Sequence, residues 1–148
     1  MRGLRDKVAV VTGGSSGIGR ACVQRLASEG CRVVIGARDE GRATRVAGDV
    51  ARTASRDRVV VVLGDLRRVD ECERLVKQAV AAFGRLDVLV NSAGVWLEKP
   101  TLEVSEDDYE WCMNTNLKSA FFTAFFMMQA AIKEMIEQRP RGGVIVNI

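Results

Sequence analysis

Thr12–Gly19 reads TGGSSGIG, and it follows directly on the apolar run Lys7–Thr12, KVAVVT. β-branched residues bounded by glycine signal a strand, and the residues after Gly17 take helical spacing. The stretch is therefore a glycine-rich turn from strand to helix. Gly13 and Gly17 let backbone approach a pyrophosphate where a Cβ would collide, and Gly19 lets the helix pack close to the strand. The helix N-terminus offers unpaired N–H groups and a partial positive charge, and Ser15 and Ser16 can donate further hydrogen bonds. An ordinary βα turn can also be glycine-rich, but this spacing directly after an apolar strand is more specific than glycines alone. A Walker A loop is excluded, because no Gly-Lys-Ser/Thr follows.

The rest of the chain alternates in the same way. The spacing predicts a helix over Gly17–Glu29, with Ile18, Ala21, Cys22 and Leu26 on one face and Gly30 ending it. Strands follow at Arg32–Gly36, Arg58–Leu63 and Leu86–Asn91, with helices at Asp39–Ala54 and Val69–Phe83 between them. The second of these turns Leu75, Val76, Ala79, Val80 and Phe83 inward, and Gly84 stops it. After a loop over Ser92–Val104, Ser105 looks like an N-cap, with Asp108 completing a capping box. A helical stretch runs on to roughly Gln138, on the order of 50 Å, so a bend is expected. The last run is Val144–Ile148, VIVNI. Strands alternating with helices imply an α/β fold, a doubly wound, mostly parallel, Rossmann-like sheet of order 3-2-1-4-5, forming one dinucleotide-binding domain over 1–148. VIVNI would sit at the sheet edge without the charges or prolines that guard edges, so we expect a longer protein of which this is the N-terminal part.

Composition narrows the function. The chain of 148 residues is 47% hydrophobic and 28% charged, with a net charge of +3. It has no histidine, and Cys22, Cys31, Cys72 and Cys112 form no CxxC pair. A zinc site and a Ser-His or Cys-His nucleophile are thereby disfavoured, no metal is expected, and the cysteines read as reduced, small apolar residues. Arg38, Arg42, Arg45, Arg52, Arg56, Arg58, Arg67 and Arg68 crowd one region, but Asp39, Glu40, Asp49 and Asp57 are interleaved and no aromatics stand among them. That pattern is a solvated face rather than a nucleic-acid surface. No apolar run reaches the roughly 20 residues of a membrane span. The N-terminus lacks the apolar region and cleavage site of a signal peptide, so a cytoplasmic location is expected.

The other strand ends carry the remaining signals. The second strand ends Gly36-Ala37-Arg38. A carboxylate there would take the ribose hydroxyl of NAD, whereas small Ala37 followed by Arg38 suits the 2′-phosphate of NADP. Asp39 and Glu40 come late and look like the first turn of the next helix. Asp65, after the third strand, can accept from the adenine amino group or serve as a turn residue, with Leu66 beside it. Asn91-Ser92-Ala93-Gly94 ends the fourth strand. Its small residues let backbone line a cofactor, and Asn91 can tie neighbouring strands. Asn116 stands within the long helix, where asparagine competes for backbone bonds and can bend the helix.

Taken together, these segments resemble the short-chain dehydrogenase/reductase family, in its TGxxxGxG branch, over essentially the whole chain. TGGSSGIG matches the cofactor turn, Gly64-Asp65-Leu66 the adenine contact, NSAG the NNAG element, and Asn114-Thr115-Asn116-Leu117 the pattern whose asparagine belongs to the catalytic tetrad. The resemblance implies that Gly13, Ser15, Ser16, Gly17, Ile18 and Gly19 hold the pyrophosphate, Arg38 the 2′-phosphate of NADP, and Asp65 and Leu66 the adenine. Asn91, Ala93 and Gly94 would face the ribose and nicotinamide side, and the Asn116 carbonyl would hold a water in a proton relay. It further implies a hydride transfer to or from a carbonyl or secondary alcohol, as in a 3-oxoacyl reductase, and a homo-oligomer formed through the 105–138 helix. The family also needs a serine after the fifth strand and a tyrosine four residues before a lysine. Here the only tyrosine is Tyr109, and Met113 stands four places on. The 148 residues by themselves are therefore expected to be inactive. A non-catalytic nucleotide-binding module or regulator remains the alternative, and an epimerase of the extended branch, whose glycine spacing differs, is a further one.

Overall fold

The computed structural model describes residues 3–66, 68–94, 97–114, 116 and 120–148. Five strands form one sheet of order β3-β2-β1-β4-β5, every neighbouring pair parallel. They are β1 (Val8–Thr12), β2 (Arg32–Ala37), β3 (Val59–Leu63), β4 (Val88–Asn91) and β5 (Val144–Asn147). The helices are α1 (Gly17–Ser28), α2 (Glu40–Thr53), α3 (Val69–Phe83), α4 (Glu106–Met113) and α5 (Ala120–Glu137).

Why the strands read as unbroken apolar runs is now plain. Neighbours along a strand point to opposite faces, and both faces of the central strands are covered. Val10, Val34, Val62 and Leu89 pack with Leu75, Val76 and Met127 beneath α3 and α5. Val11, Val33, Ile35 and Val90 pack with Val23, Ala43, Val46 and Val50 beneath α1 and α2. At the outer edge, Ile145 of β5 packs under α5, while Val144 and Val146 are exposed.

One helix face differs from expectation. The predicted face of α1 was Ile18, Ala21, Cys22 and Leu26. The buried seam is Gly19, Val23 and Ala27, with Cys22 and Leu26 half-buried beside it and Ile18 exposed at 61%. Gly19 presses the helix onto the turn before it, and that contact sets the rotation of α1. On α3 the buried residues are Cys72, Leu75, Val76 and Ala79, so three of the expected face are buried, Val80 and Phe83 are half-buried, and Cys72 joins the seam one turn earlier. Burial pushes the Cys72 thiol up to about 11, and it donates to the Leu66 carbonyl at 3.3 Å. All four cysteines are free.

The expected long helix is seen as α4 and α5. The Ser105 capping box is present, with Ser105 Oγ accepting from the Asp108 N–H at 3.2 Å and the Asp108 carboxylate accepting from the Ser105 N–H at 3.0 Å. Lys99 beside Asp108, then the two Ser105 donors, hold that carboxyl down at about 2. The helix widens to π-type turns at Asn114 and Asn116, a departure that commonly accompanies function. Thr115, Leu117 and residues 118–119 lie outside the described residues, as do Arg67, Val95 and Trp96. On α5, Met127, Ala131 and Met135 are buried, while Phe121, Phe125, Ile132 and Ile136 are exposed. Among the described residues no helix is long and apolar enough to cross a membrane.

The amino ends of the strands are clamped by charge. Asp87, buried just before β4, accepts from Arg85 Nε and Nη2 at 2.8 Å each, from Lys7 Nζ at 3.0 Å and from the Val8 N–H at 3.0 Å. Burial pushes its carboxyl up, but the bonds from Arg85, Val8 and Lys7 outweigh burial and hold it below the ordinary value. Asp87→Asn is expected to cost about 1–3 kcal/mol near neutral pH, because the charge-assisted bonds that the buried carboxylate accepts from Arg85, Lys7 and the Val8 N–H are lost or weakened. The folded pKa is the lower one, so this contribution is complete above the unfolded value of about 3.9 and disappears as pH falls through the folded value. In urea unfolding the gap between variant and wild type should close on acidification below about pH 4. A gap that stays constant down to about pH 2 would count against this clamp.

Candidate nucleotide-binding site

Strand register places every singled-out strand end at one level. Thr12 aligns with Gly36 of β2 and Asn91 of β4, and Ala37 aligns with Leu63 of β3. The chain leaves β1 for β2 and β3 on one side, then crosses to β4 on the other. The crevice lies at this switch between β1 and β4, where open α/β sheets bind ligands.

The glycine turn fills the switch point. Gly13 has φ +66°, and a Cβ there would stand 2.8 Å from Ser92 O and 2.9 Å from Ala93 Cα. Its smallness is thus demanded by the backbone after β4, a reason independent of any ligand. Gly17, at φ +50°, has no atom within 4 Å of a Cβ position, so that side of the turn opens on space a phosphate can enter. Gly19 is the tightest: a Cβ would overlap the Gly13 carbonyl oxygen and stand 2.8 Å from its carbon. The cradle is therefore one that side chains would fill.

The start of α1 differs from the other helix starts. Ser16, its N-cap, makes no side-chain cap bond, and no acid stands in the first turn. By contrast α2 is capped by Asp39, α4 by Ser105, and α3 carries Asp70 and Glu71 in its first turn. Among these four helices, α1 alone has neither a side-chain cap nor an acid. Its first N–H groups carry the positive end of the helix dipole. Ser15 and Ser16 stand beside them, and exposed Ile18 rims the opening.

Three contributors went unassigned in the sequence. Thr12 is wholly buried, and its Oγ1 accepts the N–H groups of Ser92 at 3.0 Å and Ala93 at 3.2 Å. It therefore positions the segment after β4, and a hydroxyl closing an otherwise apolar strand was the available signal. Gly14 sits where a Cβ would meet Val23 and Ile35 side chains at 2.9 and 3.1 Å, and its N–H donates to Gly36 O at 3.3 Å. Asn147 of β5 accepts from Asn91 Nδ2 at 2.8 Å, so Asn91 does tie neighbouring strands. Asn91 Oδ1 is buried and has no hydrogen-bond partner among the described residues.

The other residues arrive as follows. Arg38 is exposed just after β2, and no hydrogen bond or ion pair joins it to a described residue. Asp39 caps α2, accepting the Arg42 N–H at 2.8 Å, as the late acids suggested. Asp65 is half-buried after β3, and its carbonyl accepts the Arg68 N–H at 3.0 Å. The Leu66 side chain belongs to the core, so only its main chain can serve a ligand. Asn116 meets the segment after β4: its Oδ1 is 3.1 Å from where a Gly94 Cβ would stand, and its Nδ2 donates to Cys112 Sγ at 3.3 Å. Ala93 is half-buried and Gly94 exposed along the same segment.

A parallel doubly wound sheet with a glycine turn at its switch point defines the class of dinucleotide-binding folds. The short chain dehydrogenase family model matches residues 7–148, and the chain belongs to that family. It is 42% identical over 147 residues to an L-rhamnose 1-dehydrogenase (NAD(P)(+)) of Azotobacter vinelandii, covering 98% of this chain and 56% of that protein. It is 37% identical over 145 residues to an uncharacterized oxidoreductase of Staphylococcus aureus, covering 98% of this chain and 58% of that protein. A short chain dehydrogenase crystal structure from Bacillus anthracis superposes with a TM-score of 0.79 at 30% identity, covering 97% of this chain and 57% of the other. The chain thus spans little more than half the length of the relatives it matches, and those relatives are oxidoreductases.

Proposed function

We propose that the protein is the cofactor-binding part of an NADP-dependent oxidoreductase acting on a carbonyl or secondary alcohol. The observation that carries this is the uncapped, acid-free start of α1 beside the Gly13–Gly19 cradle, with Arg38 exposed one strand away. The pyrophosphate falls to the N–H groups of Ser15–Gly19, the 2′-phosphate to Arg38, the adenine to Asp65 and the Leu66 main chain. Asn91, Ala93 and Gly94 line the ribose and nicotinamide side. When bound, the nicotinamide supplies or takes the hydride at its C4. The balancing proton goes to or from the substrate oxygen, and the Asn116 carbonyl, at a widened helical turn, holds the water that relays it. The L-rhamnose dehydrogenase relative supports a small polyhydroxylated substrate within this class.

Fluorescence titration of the 148-residue chain should show NADPH binding more tightly than NADH, with no steady NADPH oxidation by any carbonyl substrate. Equal affinity for the two nucleotides, or steady turnover, would count against the assignment. The exposed Phe121, Phe125, Ile132 and Ile136 on α5, with Trp111 on α4, favour a homo-oligomer through these helices. Light scattering of the whole protein should report a dimer or larger, and a monomer at all concentrations rules that interface out.

A further inference from the structure

Four charged residues crowd the passage from β2 to α2: Arg38, Asp39, Glu40 and Arg42. Arg38 is joined to no described residue, but Arg42 is held. Its Nε stands 3.2 Å from Asp39 Oδ2, while its backbone N–H donates to Asp39 Oδ1 at 2.8 Å. One carboxylate thus caps the helix and also neutralises the arginine of the first turn. It stands next in sequence to the arginine assigned to the 2′-phosphate.

We propose that Asp39 is a specificity-determining residue of this nucleotide site: by holding Arg42 in an ion pair it withholds a second cation from the 2′-phosphate and limits the preference for NADP over NAD. This rests on the cofactor assignment above. The phosphate monoester carries nearly two negative charges at neutral pH. Paired, Asp39 and Arg42 present little net charge to it, whereas a released Arg42 would offer it a second cation. NAD presents only a hydroxyl at the same place, so the local field barely affects it. The two roles of Asp39 can be separated, because asparagine caps a helix about as well as aspartate but carries no charge.

The test titrates the 148-residue chain with NADPH and with NADH by nucleotide fluorescence. The proteins are wild type, Asp39→Asn, Arg42→Ala, their double variant and Arg38→Ala. Asp39→Asn should tighten NADPH about five- to tenfold at low salt, as expected when the released Arg42 gains a charge-assisted contact with the phosphate. It should leave NADH within about twofold and Tm unchanged, and the gain should shrink in about 0.5 M KCl. With Arg42→Ala already present the gain should fall to about twofold, the coupling expected of contacting residues. An unchanged NADPH/NADH ratio for Asp39→Asn, while Arg38→Ala weakens NADPH, overturns the inference and leaves the cofactor assignment standing. A lowered Tm with equal loss of both nucleotides reduces Asp39 to a cap and overturns it as well. An undiminished gain without Arg42 refutes the action through Arg42. No effect of Arg38→Ala on the ratio, or no binding of either nucleotide, overturns the cofactor assignment and this inference with it.

Discussion

Gly19→Ala is expected to destabilise the protein by about 1–2 kcal/mol and to weaken nucleotide binding by more than about tenfold, although Gly19 lies in a helix. Helix propensity alone predicts the opposite sign, since alanine is better than glycine by about 1 kcal/mol inside a helix. Packing decides the matter. The new Cβ would overlap the Gly13 carbonyl oxygen, stand 2.8 Å from its carbon and 3.2 Å from Gly14 N. These are backbone atoms, and no rotamer change relieves the collision. The turn cannot retreat either, because Gly13 already lies against the Ser92–Ala93 backbone and Gly14 is bonded to Gly36. The helix start must move, and with it the N–H groups assigned to the pyrophosphate. Overpacking of this kind costs typically 1–3 kcal/mol, about enough to reverse the propensity gain and leave a net loss. Gly48→Ala is the control. Gly48 lies within α2 and has no atom within 4 Å of a Cβ position, so alanine there should stabilise by about 0.5–1 kcal/mol. Urea unfolding of both variants and NADPH titration of the first read the result. A Gly19→Ala protein as stable as wild type, with its affinity intact, would remove the turn contact from the account.

Arg38→Asp should change the NADPH/NADH affinity ratio by about a hundredfold or more towards NADH. A charge-assisted bond to phosphate is worth about 1.5–3 kcal/mol, and a carboxylate in its place adds repulsion to that loss. The same carboxylate can accept from the ribose hydroxyl of NAD, so NADH affinity should hold or rise. The ratio of dissociation constants isolates this effect from general damage, which lowers both affinities together. If the ratio is unchanged, Arg38 does not meet the phosphate.

Much of the fold was legible because its signals are local. Apolar β-branched runs marked each strand, and α3 spans the predicted Val69–Phe83. Ser105 and Asp108 announced a helix start through a bond pattern that needs only neighbouring residues. Asp39 was legible as a helix start for the same reason. The inward face of α1 was not. Ile18 is apolar and fits a helical stripe, yet it is exposed, because the rotation of α1 follows from how closely Gly19 meets a turn. Thr12 and Asn147 were passed over because their partners lie on other strands.

Residue type and spacing alone carry the order of elements, the glycine turn and the absence of a carboxylate at the end of β2, because each depends only on which side chain stands at a position. Which backbone each glycine must clear is a property of the packed fold. The packed fold alone brought Asn116 against Gly94 and set Thr12 Oγ1 to accept the N–H groups of Ser92 and Ala93. Those facts depend on distances between atoms brought together by the register of parallel strands and the docking of helices, and no local pattern encodes them. The glycine turn was recognisable from eight letters, but Gly13 and Gly17 are glycine for two different reasons, one the backbone after β4 and the other a left-handed φ of +50° with open space beside it.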